Sequence, residues 1–335
     1  VKGKRFLIVS LLLIVAIYFL GPTVSKPLYD NNLPQIPFKL SDVEDYVVAN
    51  EASFDVREEN EAKIVWADDS IRSKTEYVLL YLHGFSASRF EGSPLNIDFP
   101  NRYSCNSYHA RLAEHGLNTD EPLLNMTPDN LYNSAKEALV IASRLGNKVI
   151  IMGTSTGGTL GLMLAADFPD LVHSLILYSP NIAIKQKSAS LILNRPWGLQ
   201  LGRLSVGGKY RVPDDLTESE KKYWYSHYRV EALVCLQQLI DTRMTEDFFQ
   251  QVTCPVFMGY YYKDKKNQDQ VVDVKAMQKM FTHLATPENK KRKRAFPTAG
   301  AHVIACELSS DAVEEVKKET LLFAEEILGL EANIR

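Results

Sequence analysis

The stretch Lys148-Val149-Ile150-Ile151-Met152-Gly153-Thr154-Ser155-Thr156-Gly157-Gly158-Thr159-Leu160-Gly161-Leu162 decides the fold. A short β-branched apolar run ends in a GxSxG motif, and the residues beyond it open a helical pattern. A bare GxSxG recurs by chance. The strand before it and the helix after it are the context the motif needs. Small residues two positions either side of Ser155, Gly153 and Gly157, let the chain turn sharply, leaving Oγ exposed with a helix amino terminus beneath it. The loop has neither the lysine of GxxxxGK[ST] nor the spacing of GxGxxG, which excludes both nucleotide-binding readings.

Outward from this turn, β-branched runs at 63–66, 77–82, 107–112, 149–152, 174–178, 256–262 and 292–296 alternate with longer helical patterns. The helices are expected at 128–145, entered through Thr127 and Pro128, and at 155–168, 273–284 and 311–328. Apolar strands alternating with helices mean a mostly parallel central sheet flanked by helices, an α/β fold, because each crossover helix packs back onto the sheet. Residues 181–250 break the alternation. They hold Trp197, four glycines, the cluster Tyr223-Trp224-Tyr225 and a helical tract over 231–241, and read as a helical lid inserted over one edge of the sheet.

A serine hydroxyl is a weak nucleophile and needs a base, itself oriented by an acid. Of the seven histidines, His302 alone follows the last expected strand, in the turn Thr298-Ala299-Gly300-Ala301-His302. The acid is expected between Ser155 and His302, past the strand at 256–262. Asp269 precedes an apolar pair that can anchor the next helix, whereas Asp264 sits in the solvated run Lys263-Asp264-Lys265-Lys266, and Asp273 is a third candidate. The strand at 77–82 runs into His83-Gly84-Phe85. Gly84 lets the backbone approach a substrate carbonyl, so the N–H groups of Phe85 and Thr156 are the expected oxyanion donors, with His83 supporting the loop.

The chain has 335 residues, 45% hydrophobic and 24% charged, with 17 Gly and 4 Cys. These figures exclude a disordered, collagen-like or disulfide-miniprotein chain. Phe6–Leu20 is uncharged and follows Lys2, Lys4 and Arg5, the layout of an export signal, read as a signal anchor or a cleaved signal peptide within 1–25. Either puts the remainder outside the cytoplasm, secreted or periplasmic if the signal is cleaved. Residues 26–62 read as a linker and a short helix at 41–50. Pro22, Pro27, Pro34 and Pro37 keep 22–39 extended, and Ser41 with Glu44 forms an expected capping box. Residues 63–335 form one domain around the lid. Beyond residue 25 the chain carries 35 basic and 41 acidic residues. That balance disfavours nucleic acid, and the run 290–294 reads as a solvated strand entry. Cys105, Cys235, Cys254 and Cys306 show no metal-ligand spacing and read as buried free thiols.

With these pieces together the sequence resembles an α/β-hydrolase of the carboxylesterase and monoacylglycerol-lipase type. The matching residues are His83-Gly84-Phe85, Arg111-Leu112-Ala113-Glu114-His115-Gly116, the Ser155 motif, Asp269-Gln270-Val271-Val272 and Gly300-Ala301-His302. Glu114 departs from the glycine usual in the family's His-Gly turn. The resemblance covers about 63–330. It implies a Ser155–Asp269–His302 triad, oxyanion donors at Phe85 and Thr156, and hydrolysis of carboxylic esters or acyl lipids with no metal or cofactor. A thioesterase, acyltransferase or peptidase on the same scaffold, or an inactive binding protein at the membrane, are the alternatives.

Overall fold

The computed structural model describes residues 2–37, 39–213 and 216–333. Val1, Phe38, Asp214, Asp215, Ile334 and Arg335, which belong to the segments read above as terminus, linker, lid and domain end, lie outside the described residues.

In chain order, helices α1 (Lys2–Phe19) and α2 (Leu40–Ala52) precede strands β1 (Lys63–Val65) and β2 (Thr75–Leu82). Helix α3 (Leu95–Arg102) and β3 (Asn106–His109) follow, then α4 (Pro128–Leu145), β4 (Gly146–Thr154), α5 (Thr156–Asp167) and β5 (Val172–Tyr178). Between β5 and the next sheet strand lie α6 (Lys187–Ile192), α7 (Gly198–Ser205), β6 (Tyr210–Arg211), α8 (Glu218–Lys221), β7 (Tyr228–Arg229), α9 (Val230–Arg243) and α10 (Glu246–Phe249). The chain closes with β8 (Val256–Tyr260), α11 (Val274–His283), β9 (Lys291–Ala295) and α12 (Val313–Glu326).

Seven strands form one sheet in the order β1-β3-β2-β4-β5-β8-β9, and β6 pairs with β7 apart from it. Within the large sheet β1 runs antiparallel to β3, and the other pairings are parallel. β4 is central, with Ile151 opposite Leu80 on one side and Leu175 on the other. Burial on both faces explains why its sequence is continuously apolar. Alternate residues serve opposite faces. Val78, Leu80, Val149, Ile151 and Leu175 join one core with α4 and α5, while Leu79, Tyr81, Ile150, Met152 and Ile176 join another with α3 and α12.

Most elements follow from local chemistry. Thr127 caps α4, its hydroxyl accepting the Asn130 N–H at 3.1 Å while the Asn130 side chain accepts the Thr127 N–H at 2.8 Å. Other expectations need correction. The capping box at Ser41 is not formed: α2 starts at Leu40, Lys39 stands at the N-cap without a side-chain bond, and the Ser41 hydroxyl donates to Asp42. The run at 107–112 leaves the sheet after His109, where Arg111 turns to pair with Glu51 at 2.8 Å. Helix α3 was not anticipated because Pro100 lies inside it; the burial of Leu95 and Phe99 overrides that local penalty.

The proline-rich stretch is extended, yet it is fastened to the body. Asp129 accepts the N–H groups of Leu28 (2.9 Å) and Tyr29 (2.7 Å), the buried Lys136 ammonium donates to the carbonyls of Asp30 and Asn32, and the Gln238 amide donates to the Ser25 carbonyl. The expectation of a transmembrane anchor at 6–20 is also corrected. Among the described residues no helix is long and apolar enough to cross a membrane. Lys2, Lys4 and Arg5 lie within α1, leaving an apolar part about 21 Å long against a hydrocarbon core of about 30 Å.

Candidate active site

The turn between β4 and α5 holds Ser155 at φ 52°, ψ −116°, a conformation that side chains rarely adopt. Two glycines make it possible. A Cβ on Gly157 would meet the Leu82 carbonyl oxygen at 2.0 Å, and one on Gly153 would meet the Gly157 carbonyl carbon and oxygen at 2.6 Å. The Ser155 N–H donates to the Tyr178 carbonyl at 2.8 Å, tying the turn to the end of β5. Thr156 is the first residue of α5, so its N–H has no partner within the helix.

Asp269 lies in the loop after β8 and is fully buried. Its Oδ1 accepts the N–H groups of Val271 (2.8 Å) and Val272 (3.0 Å), and its Oδ2 lies 2.7 Å from His302 Nδ1. Burial alone would raise this carboxyl, but the His302 ring and the two backbone donors hold it below the ordinary aspartate value. Burial would likewise lower His302; Asp269, and secondarily Glu91, instead carry its imidazole above the ordinary value. His302 Nε2 is buried and has no hydrogen-bond partner among the described residues, so a Ser155–His302 hydrogen bond is not formed here. Such contacts often tighten only once substrate is bound.

Asp264 and Asp273 are occupied elsewhere. Asp264 is exposed and closes its own turn, accepting from the N–H groups of Lys266 and Asn267 and from the Asn267 amide. Asp273 caps α11 through the N–H groups of Lys275 and Ala276.

His83 is buried beneath the loop at the end of β2. Its Nε2 accepts the Leu112 N–H at 3.0 Å, which leaves Nδ1 to donate to the Gly84 carbonyl at 2.8 Å. Phe85 packs edge-on against Tyr228 with ring centres 4.9 Å apart. Glu114, standing where a glycine was expected, adopts φ 67°, so this position does take the left-handed conformation that favours glycine.

Glu91 was not foreseen. It is 2% exposed, and its carboxylate accepts the Gly84 N–H and lies 3.4 Å from the Tyr81 hydroxyl. A Cβ on Gly84 would touch Glu91 Oε1 at 2.7 Å and Ser155 Cβ at 3.2 Å, which puts the carboxylate beside the serine. Burial raises Glu91 to about 7, against the opposing pull of Gly84 N–H, His302, Tyr81 and Trp224. A lone glutamate between Phe90 and Gly92 matches no motif. The one available signal was a charged residue in a mostly uncharged stretch beginning at His83.

The inserted segment reaches this loop. Tyr223 stacks on Phe90 with ring centres 3.9 Å apart, and the Tyr225 N–H donates to the Ser86 carbonyl at 2.9 Å. Among the described residues no group of three or more His, Cys, Asp or Glu side chains is placed to hold a metal ion. The four thiols are unpaired, and burial pushes those of Cys105, Cys254 and Cys306 up to about 12.

No protein-family model matches the chain, and no curated protein matches it. Solved structures do match. The chain is similar to a structure from work on LipS and LipT, two metagenome-derived lipolytic enzymes, with a TM-score of 0.65 at 16% identity over 80% of this chain and 98% of that one. A soluble variant of monoglyceride lipase from Saccharomyces cerevisiae gives a TM-score of 0.57 at 13% identity, covering 79% of this chain and 91% of that one. Est1E from Butyrivibrio proteoclasticus, bound to ferulic acid, gives 0.51 at 18%, covering 80% and 95%. The fold is the α/β-hydrolase fold.

Proposed function

We propose that the protein is a serine hydrolase of carboxylic esters, with Ser155 as nucleophile, His302 as base and Asp269 as the acid that orients it. The observation that carries this reading is the buried 2.7 Å contact between His302 Nδ1 and Asp269 Oδ2, on the same sheet that holds Ser155 in a strained turn. With Nδ1 donating to Asp269, Nε2 is the ring nitrogen free to take a proton.

In this mechanism His302 Nε2 takes the Ser155 proton as Oγ attacks the ester carbonyl. The N–H groups of Phe85 and Thr156 hold the oxyanion of the tetrahedral intermediate. Collapse breaks the bond to the alcohol, which leaves with the proton from His302, and an acyl-serine remains. Water, deprotonated by His302, attacks the acyl carbonyl; the carboxylic acid departs and Ser155 recovers its proton. The likeness to lipolytic enzymes and to a monoglyceride lipase supports a small-molecule ester or acyl lipid as substrate. Lys2, Lys4 and Arg5 followed by an exposed apolar stretch support association of residues 6–20 with a membrane surface.

The test is labelling with a fluorophosphonate, which forms a covalent bond with an activated serine. The wild-type chain should label and Ser155→Ala should not. A folded wild-type chain that stays unlabelled would return the protein to the class of inactive binding proteins.

A further inference from the structure

The insertion between β5 and β8 carries a surface that ester hydrolysis does not explain. Trp197, at the N-cap of α7, fastens it to the foot of α1: its indole N–H donates to the Ile17 carbonyl and its backbone N–H to the Pro22 carbonyl, both at 3.0 Å. Gly21 lies so close that a Cβ there would strike the indole at 2.1 Å. Leu201 and Leu204, three residues apart within α7, share one face of it. Leu204 is 78% exposed, and Leu191, on the adjoining α6, is 68% exposed. An apolar strip therefore continues from the exposed side chains of α1 onto the insertion.

Its sequence is also biased toward positive charge. Residues 182–213 contain Lys185, Lys187, Arg195, Arg203, Lys209 and Arg211 and no acidic residue; Arg203 pairs with Glu231 of α9, and Asp214 and Asp215 follow the stretch in sequence. Outside this stretch, the chain from Lys26 onward has 29 basic and 41 acidic residues. Apolar side chains rimmed by cations on an otherwise acidic body match an anionic phospholipid surface, whose headgroups attract Lys and Arg while its acyl region accepts leucine. A polyanion such as nucleic acid would leave the exposed leucines unexplained.

We propose that α6 and α7 form, with α1, one binding face for an anionic phospholipid membrane, on which the insertion lies flat. The proposal rests on the reading of residues 6–20 as membrane-associating and adds to it the insertion and the lipid charge.

The experiment is co-sedimentation of the full chain with phosphatidylglycerol or phosphatidylcholine vesicles. The wild type should partition at least tenfold better into phosphatidylglycerol at low salt, with the gap narrowing at high salt. Leu201→Glu/Leu204→Glu and, separately, Lys187→Glu/Arg195→Glu should each remove most of that preference at an unchanged melting temperature. All four positions are exposed, so folding is not the readout. Equal partition of the wild type into both vesicles, or wild-type binding by both variants, overturns the proposal while leaving membrane association through α1 standing. No binding to either vesicle overturns both readings. Sedimentation without vesicles assigns the face to self-association and overturns this one.

Discussion

Glu91 and Asp269 place two carboxyl groups around one imidazole, and they act on it in the same direction. Asp269, and secondarily Glu91, raise His302 above its ordinary value. Protonated His302 cannot accept the serine proton, so activity should fall as pH drops, with the acid limb of kcat/KM centred above about 6.5. Asp269→Asn should lower kcat by about 10³–10⁴-fold, whereas Asp264→Asn should leave it within about twofold. Comparable small losses from both would remove Asp269 from the mechanism. Glu91→Gln keeps an acceptor for the Gly84 N–H and drops the charge. Its acid limb should therefore move to lower pH, and an unmoved profile would deny Glu91 any electrostatic reach to His302. Ser155, His302 and Asp269 could be nominated from the sequence because Ser155 directly follows β4 and the other two lie in the loops after β9 and β8, strands that their own sequence announces. Glu91 was not: its proximity to Ser155 exists only once the loop after β2 folds over.

At the scale of elements, the joint between β4 and α5 has the least room. Gly157→Ala would drive a methyl group into the Leu82 and His83 carbonyls, which are backbone atoms and cannot rotate away. A loss of about 3 kcal/mol in urea unfolding is expected, together with loss of fluorophosphonate labelling. A stable, fully labelled variant would mean that the turn can open at no penalty. The strands and long helices were readable from hydrophobic period and, at Thr127, from the helix entry. The exceptions have tertiary causes. In α3 burial overrides Pro100, and in α2 the helix begins ahead of a serine that resembled a cap. The insertion was legible as an interruption, but its small helices α6, α8 and α10 are too short to show a period.

Across the whole molecule, the proline-rich stretch before α2 behaves as a strap. Its holding residues, Asp129, Lys136 and Gln238, lie 100 or more positions away in sequence, so no local pattern could announce them. Asp129→Ala should leave the Leu28 and Tyr29 N–H groups unpaired, weakening the strap by roughly 1–2 kcal/mol. Limited proteolysis within residues 23–33 should then speed up while the melting temperature of the body changes little; an unchanged cleavage rate would mean that the other contacts suffice. Composition and alternation were enough to reveal the α/β class. The strap and the tie between Trp197 and α1 needed three dimensions.

The two rims of the large sheet have a consequence of their own. One ends in β1, three residues long, and the other in β9, where Lys291, Arg292, Lys293 and Arg294 stand in succession. An open rim is a template on which a second copy can add its own strand, but a stub offers little to copy and long charged side chains hinder a partner strand from pairing closely. At β9 those side chains are largely neutralised within the molecule, Lys291 by Glu288, Arg292 by Glu326 and Arg294 by Glu319, so the safeguard against fibre growth is their bulk and hydration more than repulsion between copies. Replacing that row with apolar strand-formers should surrender it, even with Ser155, Asp269 and His302 untouched.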